Sequence, residues 1–402
     1  MFSNTRLDLV KTMKLLMITP YFYPEGGGLE KYAYMIARGL VERGWEVKVI
    51  TASRKGNSLE NLEGIEVIRL APHFIVSNTP ISFNLPLKLI KVFKEEQFSV
   101  INAHTPVPYY ADVSAWVNNV LKGSNKTPFV LTYHNDLVKE GFPLDKVAYL
   151  YNLSLQRGLL LLSDTIITPS PYCYYESKLL RRFKKKLIWI PPGVDTERYF
   201  PGKSYRLHSI YNLPRSAKIV MFIGTMNRGH AHKGVPYLLK AFKYVATQVK
   251  DSYLVLVGRG DMIPEYKKMC MSLGISKRVI FTGYVEEDIL PEFYRSSDVI
   301  VLPSTTVQEG FGMVLIEAGA SGKPVIGTNV GGIKHVIENG KTGILVPPKD
   351  PFRLAEAIVT LLTDDNLARK IGKTGRRLVE REYSWDKIVE KTEIALKAIV
   401  NH

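Results

Sequence analysis

At 402 residues the chain is too long for one ordinary hydrophobic core, so two domains are expected. Hydrophobic residues at 46% and charged residues at 23% are the balance of a globular protein in water, and no run reaches the roughly 20 apolar residues that span a bilayer. The net charge of +16 suits a diphosphate ligand or an anionic membrane; with no zinc-finger or aromatic RNA-binding signature beside it, nucleic acid is not an expected partner.

Met1 to Thr12 mixes charges with short apolar pieces, lacks a signal-peptide core and receives no role. Cys173 and Cys270 have neither metal-ligand spacing nor a disulfide framework. The expectation is a cytoplasmic chain in a reducing compartment. Short β-rich runs at 14–19, 46–51, 65–70, 100–103, 129–134, 165–168 and 187–190 then alternate with amphipathic segments, the pattern of a doubly wound α/β sheet.

Gly26, Gly27 and Gly28 lie in the first strand-to-helix turn, before a helix expected over 29–43. Without side chains they let backbone N–H groups approach a phosphate. His104 and His134 close two strands; each imidazole suits a sugar hydroxyl at a cleft, or is an ordinary satisfied surface group. Six cations share the segment 178–187 with Leu and Phe, as in a membrane-surface helix or a solvated helix with an apolar underside. The apolar piece Phe74-Ile75-Val76 points the same way. Pro191-Pro192-Gly193 and Pro201-Gly202 interrupt both periodicities. They divide the chain into an amino-terminal domain, 1–200, a second domain, 201–382, and a terminal amphipathic helix, 383–402.

The second domain repeats the alternation, with strands expected at 219–224, 253–258, 279–282, 299–303, 325–327 and 344–346. Arg228 and Lys233 fall between its first strand and the helix starting near Val235, where two cations suit a diphosphate or form an exposed charged loop. His230 and His232 give a His-x-His spacing, but a third ligand is not evident and Lys233 would repel a cation. Gly258-Arg259-Gly260-Asp261 and Gly283-Tyr284-Val285 end two strands and could frame a nucleobase, or be plain turns.

Glu309-Gly310-Phe311-Gly312-Met313-Val314-Leu315-Ile316-Glu317 sets two carboxylates around a glycine turn that opens an apolar helix. Eight helical residues advance about 12 Å, close to the separation of sugar and ribose in a nucleotide-sugar. The first helical N–H groups, near Met313 and Val314, would meet the diphosphate between them. Each carboxylate can accept the two hydroxyls of a vicinal diol. Alone, both acids could equally be solvated surface groups.

Taken in order, these segments resemble the retaining glycosyltransferases of family 4, with the GT-B fold. The resemblance runs from about Met13 to Trp385. It is carried by Glu309 to Glu317, Pro20-Tyr21 leading to Gly27-Gly28, Thr132-Tyr133-His134, Ile190 to Asp195, Lys233-Gly234, and Gly322-Lys323-Pro324-Val325 followed by Gly331-Gly332. It implies two Rossmann-like domains facing a central cleft, with the carboxyl-terminal helix packing back on the amino-terminal domain. The first domain would take the acceptor and the second the nucleotide-sugar.

By the same resemblance Glu317 binds the ribose and Glu309 the donor sugar, while backbone amides of Gly310, Phe311, Gly312, Met313 and Val314 hold sugar and phosphate. Arg228 and Lys233 neutralise the leaving diphosphate, the Gly27-Gly28 turn reaches it, and Tyr284 and Val285 flank the base. His134 lies near the transferred sugar and acceptor, with Tyr21 near the acceptor. The family often carries Arg after the glycine ending the first strand of the second domain. Here Thr225 follows Gly224, and Arg228 would substitute from a longer loop.

The implied reaction moves a hexose from a UDP- or GDP-linked donor to a sugar or lipid-linked acceptor, with retention, without a resident cofactor or metal, at an anionic membrane surface or in solution. A nucleotide-sugar epimerase on the same fold and a non-catalytic anionic-surface binder are the alternatives. A dinucleotide oxidoreductase fits less well, since Gly26-Gly27-Gly28 is not G-x-G-x-x-G and Val49-Ile50-Thr51-Ala52 offers no acid for a ribose.

Overall fold

The computed structural model describes residues 12–122, 126–137 and 143–400, so residues 1–11 of the amino-terminal extension lie outside the described residues. The chain forms two compact units. One comprises residues up to Pro169, Glu176–Ile190 and the chain from Ile388 onward; the other comprises Ser170–Tyr175 and Pro191–Lys387.

The first unit is built on β1 (Lys14–Ile18), β2 (Glu46–Ala52), β3 (Ser58–Leu62), β4 (Ile65–Leu70), β5 (Phe74–Val76), β6 (Thr79–Ile81), β7 (Val100–Thr105), β8 (Phe129–Tyr133), β9 (Thr165–Thr168) and β10 (Leu187–Trp189). Eight of them form one sheet in the order β10-β9-β8-β7-β1-β2-β4-β3, parallel except at the β3–β4 edge. β1 and β8 are largely apolar runs buried on both faces, as helices on either side of a parallel sheet require, while β7 between them buries the polar Asn102, His104 and Thr105 among its apolar residues. β3 was not expected from sequence. Its Ser-Leu-Glu-Asn-Leu is mostly exposed and lacks a core-facing period, so pairing to β4 makes it a strand. β5 and β6 form a separate exposed hairpin.

The terminal helix Trp385–Val400 contributes its carboxyl-terminal part to this unit. Glu393 accepts from Trp45 Nε1 at 3.1 Å, and Val389 occupies space that a side chain at Gly39 would fill. The basic segment is not the amphipathic α-helix that its composition suggested. Leu180–Lys186 forms short 3-10 turns broken at Phe183. Leu180 and Phe183 are buried, Lys184 and Lys185 are exposed, and Lys186 Nζ donates to the Leu161 and Ser163 carbonyls at 3.0 and 2.6 Å.

The second unit holds β11 (Lys218–Ile223), β12 (Ser252–Val257), β13 (Val279–Gly283), β14 (Val299–Leu302), β15 (Val325–Thr328) and β16 (Ile344–Val346). All pair in parallel, in the order β13-β12-β11-β14-β15-β16. In each sheet the chain fills one side and then the other. The reversal falls between β1 and β7 in the first unit and between β11 and β14 in the second. Ligands of open α/β sheets bind beyond the strand carboxyl ends at such a point.

Candidate active site

In the second unit two loops leave the carboxyl ends of β11 and β14. The first carries the 3-10 turn Arg228–Lys233, then Gly234 at φ +73°, then the helix Val235–Gln248. A Cβ on Gly234 would stand 2.0 Å from the Pro303 carbonyl oxygen, so only glycine lets this loop lie against the end of β14. Thr305 secures the contact by donating its backbone N–H and its hydroxyl to the His232 carbonyl at 2.7 and 3.1 Å.

This register brings Lys233 to Glu309. The Lys233 ammonium lies 2.9 Å from Glu309 Oε2, which also accepts from the Ser304 hydroxyl at 3.1 Å. Glu309 is 8% exposed, which makes this a charge pair held largely out of water. The loop below it is pinned by backbone: Gly332 N–H donates to the Glu309 carbonyl at 2.8 Å, and the Ser170 hydroxyl donates to the Gly310 carbonyl at 2.7 Å. A Cβ on Gly332 would meet the Gly310 oxygen at 2.0 Å, which gives the Gly331-Gly332 pair a structural reason. The Phe311 ring turns into the core against Tyr383, leaving only its backbone for a ligand.

Gly312 takes φ +87° and the helix Met313–Ala320 follows. The expected 12 Å separation rested on helix throughout 309–317 and is corrected here: Glu309 lies in a loop, and only the steps from Met313 to Glu317 are helical. The amides of Met313 and Val314 do open the helix, with the positive end of its dipole behind them. Glu317 accepts from the Tyr294 hydroxyl at 2.6 Å. Burial raises the pKa of that phenol well above its ordinary value, so it stays a donor that orients the carboxylate.

The structure does not bring Arg228 to the Lys233–Glu309 pair. Its guanidinium is 80% exposed and 3.9 Å from Glu265, while its backbone N–H donates to Asp261. Nearby, the ends of β11, β12 and β13 converge. Gly258 N–H donates to the Gly283 carbonyl, and a Cβ on Gly258 would strike the Gly224 oxygen at 2.1 Å. Tyr284 is half exposed beside them with the Arg259 guanidinium 4.5 Å from its ring centroid, and Val285 packs partly into the core.

In the first unit, Tyr21 follows β1 and is 5% exposed, with the Arg54 guanidinium 5.4 Å from its ring centroid. Gly27 N–H donates to Glu30 Oε2 at 2.7 Å, and Gly28 starts the helix Gly28–Glu42 with open space beside its Cα. At the carboxyl ends of β7 and β8 the two histidines meet. His104 Nδ1 and His134 Nε2 are 3.2 Å apart, and His104 Nε2 is 3.1 Å from Asn102 Oδ1. Burial pushes both imidazoles down, His104 well below its ordinary value with the neighbouring His134 adding to it, and His134 to about 3. Both rings are therefore neutral at physiological pH.

Ser304, Tyr294 and Asn102 were not singled out from sequence. Ser304 follows β14, where a strand-end polar residue could have been flagged; Asn102, inside β7, and Tyr294, on a helix distant in sequence, give no local signal. Among the described residues no group of three or more His, Cys, Asp or Glu is arranged to hold a metal ion, and no helix is long and apolar enough to cross a membrane.

Comparison with known proteins agrees with this architecture. The family described as Glycosyl transferases group 1 matches residues 206–378, and Glycosyltransferase Family 4 matches 26–198. The chain is similar to the D-rhamnosyltransferase WbpZ of Pseudomonas aeruginosa, 30% identical over 73% of this chain and 72% of that protein. It is also similar to the N-acetyl-alpha-D-glucosaminyl L-malate synthase of Bacillus anthracis, 28% identical over 92% and 94% of the two chains. The phosphatidyl-myo-inositol mannosyltransferase of Mycobacterium leprae is 27% identical over 94% and 95%. Among solved structures, sucrose-phosphate synthase of Thermosynechococcus elongatus superposes with TM-score 0.74 at 25% identity, covering 96% of this chain and 99% of that one. Anabaena HepE in complex with UDP gives TM-score 0.74 at 21% identity over 96% and 100%. With both halves of the chain matched and these relatives aligned along it, the protein is a glycosyltransferase of family 4 with the GT-B fold.

Proposed function

We propose that this glycosyltransferase transfers a hexose from a UDP- or GDP-linked donor to an acceptor hydroxyl, with retention at the anomeric carbon. The observation that carries the reading is the Lys233–Glu309 pair at the β11/β14 reversal, seated beside the first amides of the helix Met313–Ala320. The chemical problem in such a transfer is negative charge growing on the departing diphosphate. A fixed ammonium and fixed N–H donors stabilise that charge without reorganising as it appears.

Lys233 meets the diphosphate together with the amides of Gly310 to Val314. Arg228, on its exposed turn, is free to leave Glu265 and add charge at the rim. Glu309 accepts from hydroxyls of the sugar, and Glu317, oriented by Tyr294, accepts from the ribose diol. Tyr284 and Val285 flank the base. With these groups carrying the leaving charge, the transfer is metal-independent. Attack proceeds on the face from which the diphosphate departs, and the departing phosphate oxygen takes the acceptor proton.

The acceptor belongs to the first unit, with Tyr21 and His134 as its contacts; in the glycine turn the Gly27 N–H is taken by Glu30, which leaves the Gly28 end as the amide offered to a phosphate. A neutral His134 serves there as a hydrogen-bonding group and not as a base. We further propose a lipid-linked acceptor met at an anionic membrane on the cytoplasmic side. Val147, Leu150 and Leu153 are each more than half exposed along the helix Leu144–Leu153, as is Trp116 on Tyr110–Lys122. Both helices pack on Leu155–Leu162, whose end is tied through Lys186 to the exposed Lys184 and Lys185. Apolar side chains rimmed by cations suit such a surface.

The test is product analysis by NMR with UDP- and GDP-hexoses, with and without vesicles of phosphatidylglycerol. The reading expects an α-linked product from an α-linked donor and sedimentation with the vesicles that salt weakens. An inverted product overturns retention. Isomerised donor in the absence of any acceptor favours the epimerase instead, and failure to sediment overturns the membrane assignment.

A further inference from the structure

We infer that Asn102 and His104 are positioning residues that fix the tautomer of His134, so that His134 carries its proton on Nε2 and presents Nδ1 as a lone-pair acceptor. Backbone register brings these side chains together. β7 and β8 pair in parallel with Asn102 opposite Val130 and His104 opposite Thr132. Residues two apart share a face of a sheet, so Asn102 and His104 on one strand lie beside Thr132 and His134 on the next.

The side-chain amide of Asn102 is the anchor. Its Nδ2 donates to the Val130 carbonyl at 3.2 Å and to the Thr132 hydroxyl at 2.9 Å. A backbone carbonyl cannot donate, which forces the nitrogen to that side and leaves Oδ1 facing His104. Oδ1 only accepts, so His104 Nε2, 3.1 Å away, must bear the proton. His104 is fully buried and neutral, and its Nδ1 is therefore a lone pair. That lone pair, 3.2 Å from His134 Nε2, accepts a proton donated by His134. His134 Nδ1 is then an acceptor. The Tyr32 ring, edge-on at 5.3 Å from His134 and 6.2 Å from His104, restricts ring flipping.

The consequence rests on the reading that His134 meets a substrate hydroxyl. A hydroxyl facing Nδ1 must donate its proton to that hydrogen bond, which turns an oxygen lone pair elsewhere. The chain from Asn102 thereby decides which way the substrate hydroxyl points.

The experiment is ring-nitrogen NMR on the full-length protein labelled at its 8 histidines, with the His134 signal identified by its loss in His134→Gln. In the wild type, His134 is expected as a single neutral form protonated at Nε2. A His134 protonated at Nδ1, or a mixture of both tautomers, overturns the proposal whatever the kinetics. His104→Asn keeps an acceptor at the Nδ1 position and is expected to hold the tautomer. His104→Leu removes it and is expected to give a mixture, with kcat lowered roughly tenfold, the worth of one hydrogen bond, at little change in donor KM. A His104→Leu protein that folds and still shows the pure Nε2–H form also overturns it. With the tautomer established, a His134 ring signal unmoved by saturating nucleotide-sugar and acceptor would count against the substrate contact alone.

Discussion

The two strand-end clusters solve opposite problems. At the end of β11 and β14 the second unit gathers formal charge, with a buried Lys233–Glu309 pair, Glu317 and the helix-start amides. At the end of β7 and β8 the first unit gathers neutral groups, with two imidazoles held uncharged and linked to an amide. A charge-stabilising site must already hold its charges in place before the reaction. A neutral site orients a hydroxyl through the direction of its donors and acceptors alone, with no net charge to add to the leaving-group problem.

Replacing Lys233 by Ala should break the contrast most severely. It removes the fixed cation and leaves Glu309 largely buried with Ser304, so kcat should fall roughly 10²- to 10³-fold, the effect of losing one preorganised group at a developing charge. A variant with wild-type kcat would remove the charge role from this cluster. Tyr294→Phe should do less, weakening nucleoside-diphosphate binding up to about tenfold by removing the phenol donor that orients the Glu317 carboxylate while leaving the carboxylate itself; isothermal titration reads this directly. Arg228→Ala should change little, less than about fivefold in kcat/KM, because its side chain stands in water and its ion pair is long.

The neutral cluster is sharpened by acid. His104 and His134 have folded pKa values below their unfolded value near 6.5, with His134 at about 3. Between about pH 3 and 6.5 the unfolded chain binds more protons, so stability should rise with pH across that window and gain nothing further above it from these groups. Urea midpoints at pH 4, 5 and 7 check this, with a shallower slope expected for His134→Gln.

Much of this was legible in the sequence. The parallel strands read as apolar runs because they are buried on both faces, and Glu309, Glu317 and Lys233 were visible beside glycines at strand ends. What stayed hidden depends on packing between distant segments. The helix start near Met313 is legible from the glycine turn, but the 12 Å estimate counts the steps from Glu309 to Gly312 as helical rise, and the left-handed φ of Gly312 puts them in a loop instead. The basic segment has an amphipathic composition, yet Leu180 and Phe183 bury themselves three residues apart, a 3-10 spacing. Asn102 reads as core strand and His104 as a lone strand-end imidazole until register places them beside Thr132 and His134.

The central claim is that the charged cluster and Glu317 hold the donor nucleotide. Calorimetric titration of UDP, GDP, ADP and NAD into the wild type and Glu317→Ala, at one salt concentration and without divalent metal, tests it most directly. Selective binding of one nucleoside diphosphate, weakened roughly ten- to a hundredfold in the variant as expected for a charged hydrogen-bonding partner, is the predicted result. Equal binding to both proteins, or binding of NAD alone, would contradict it.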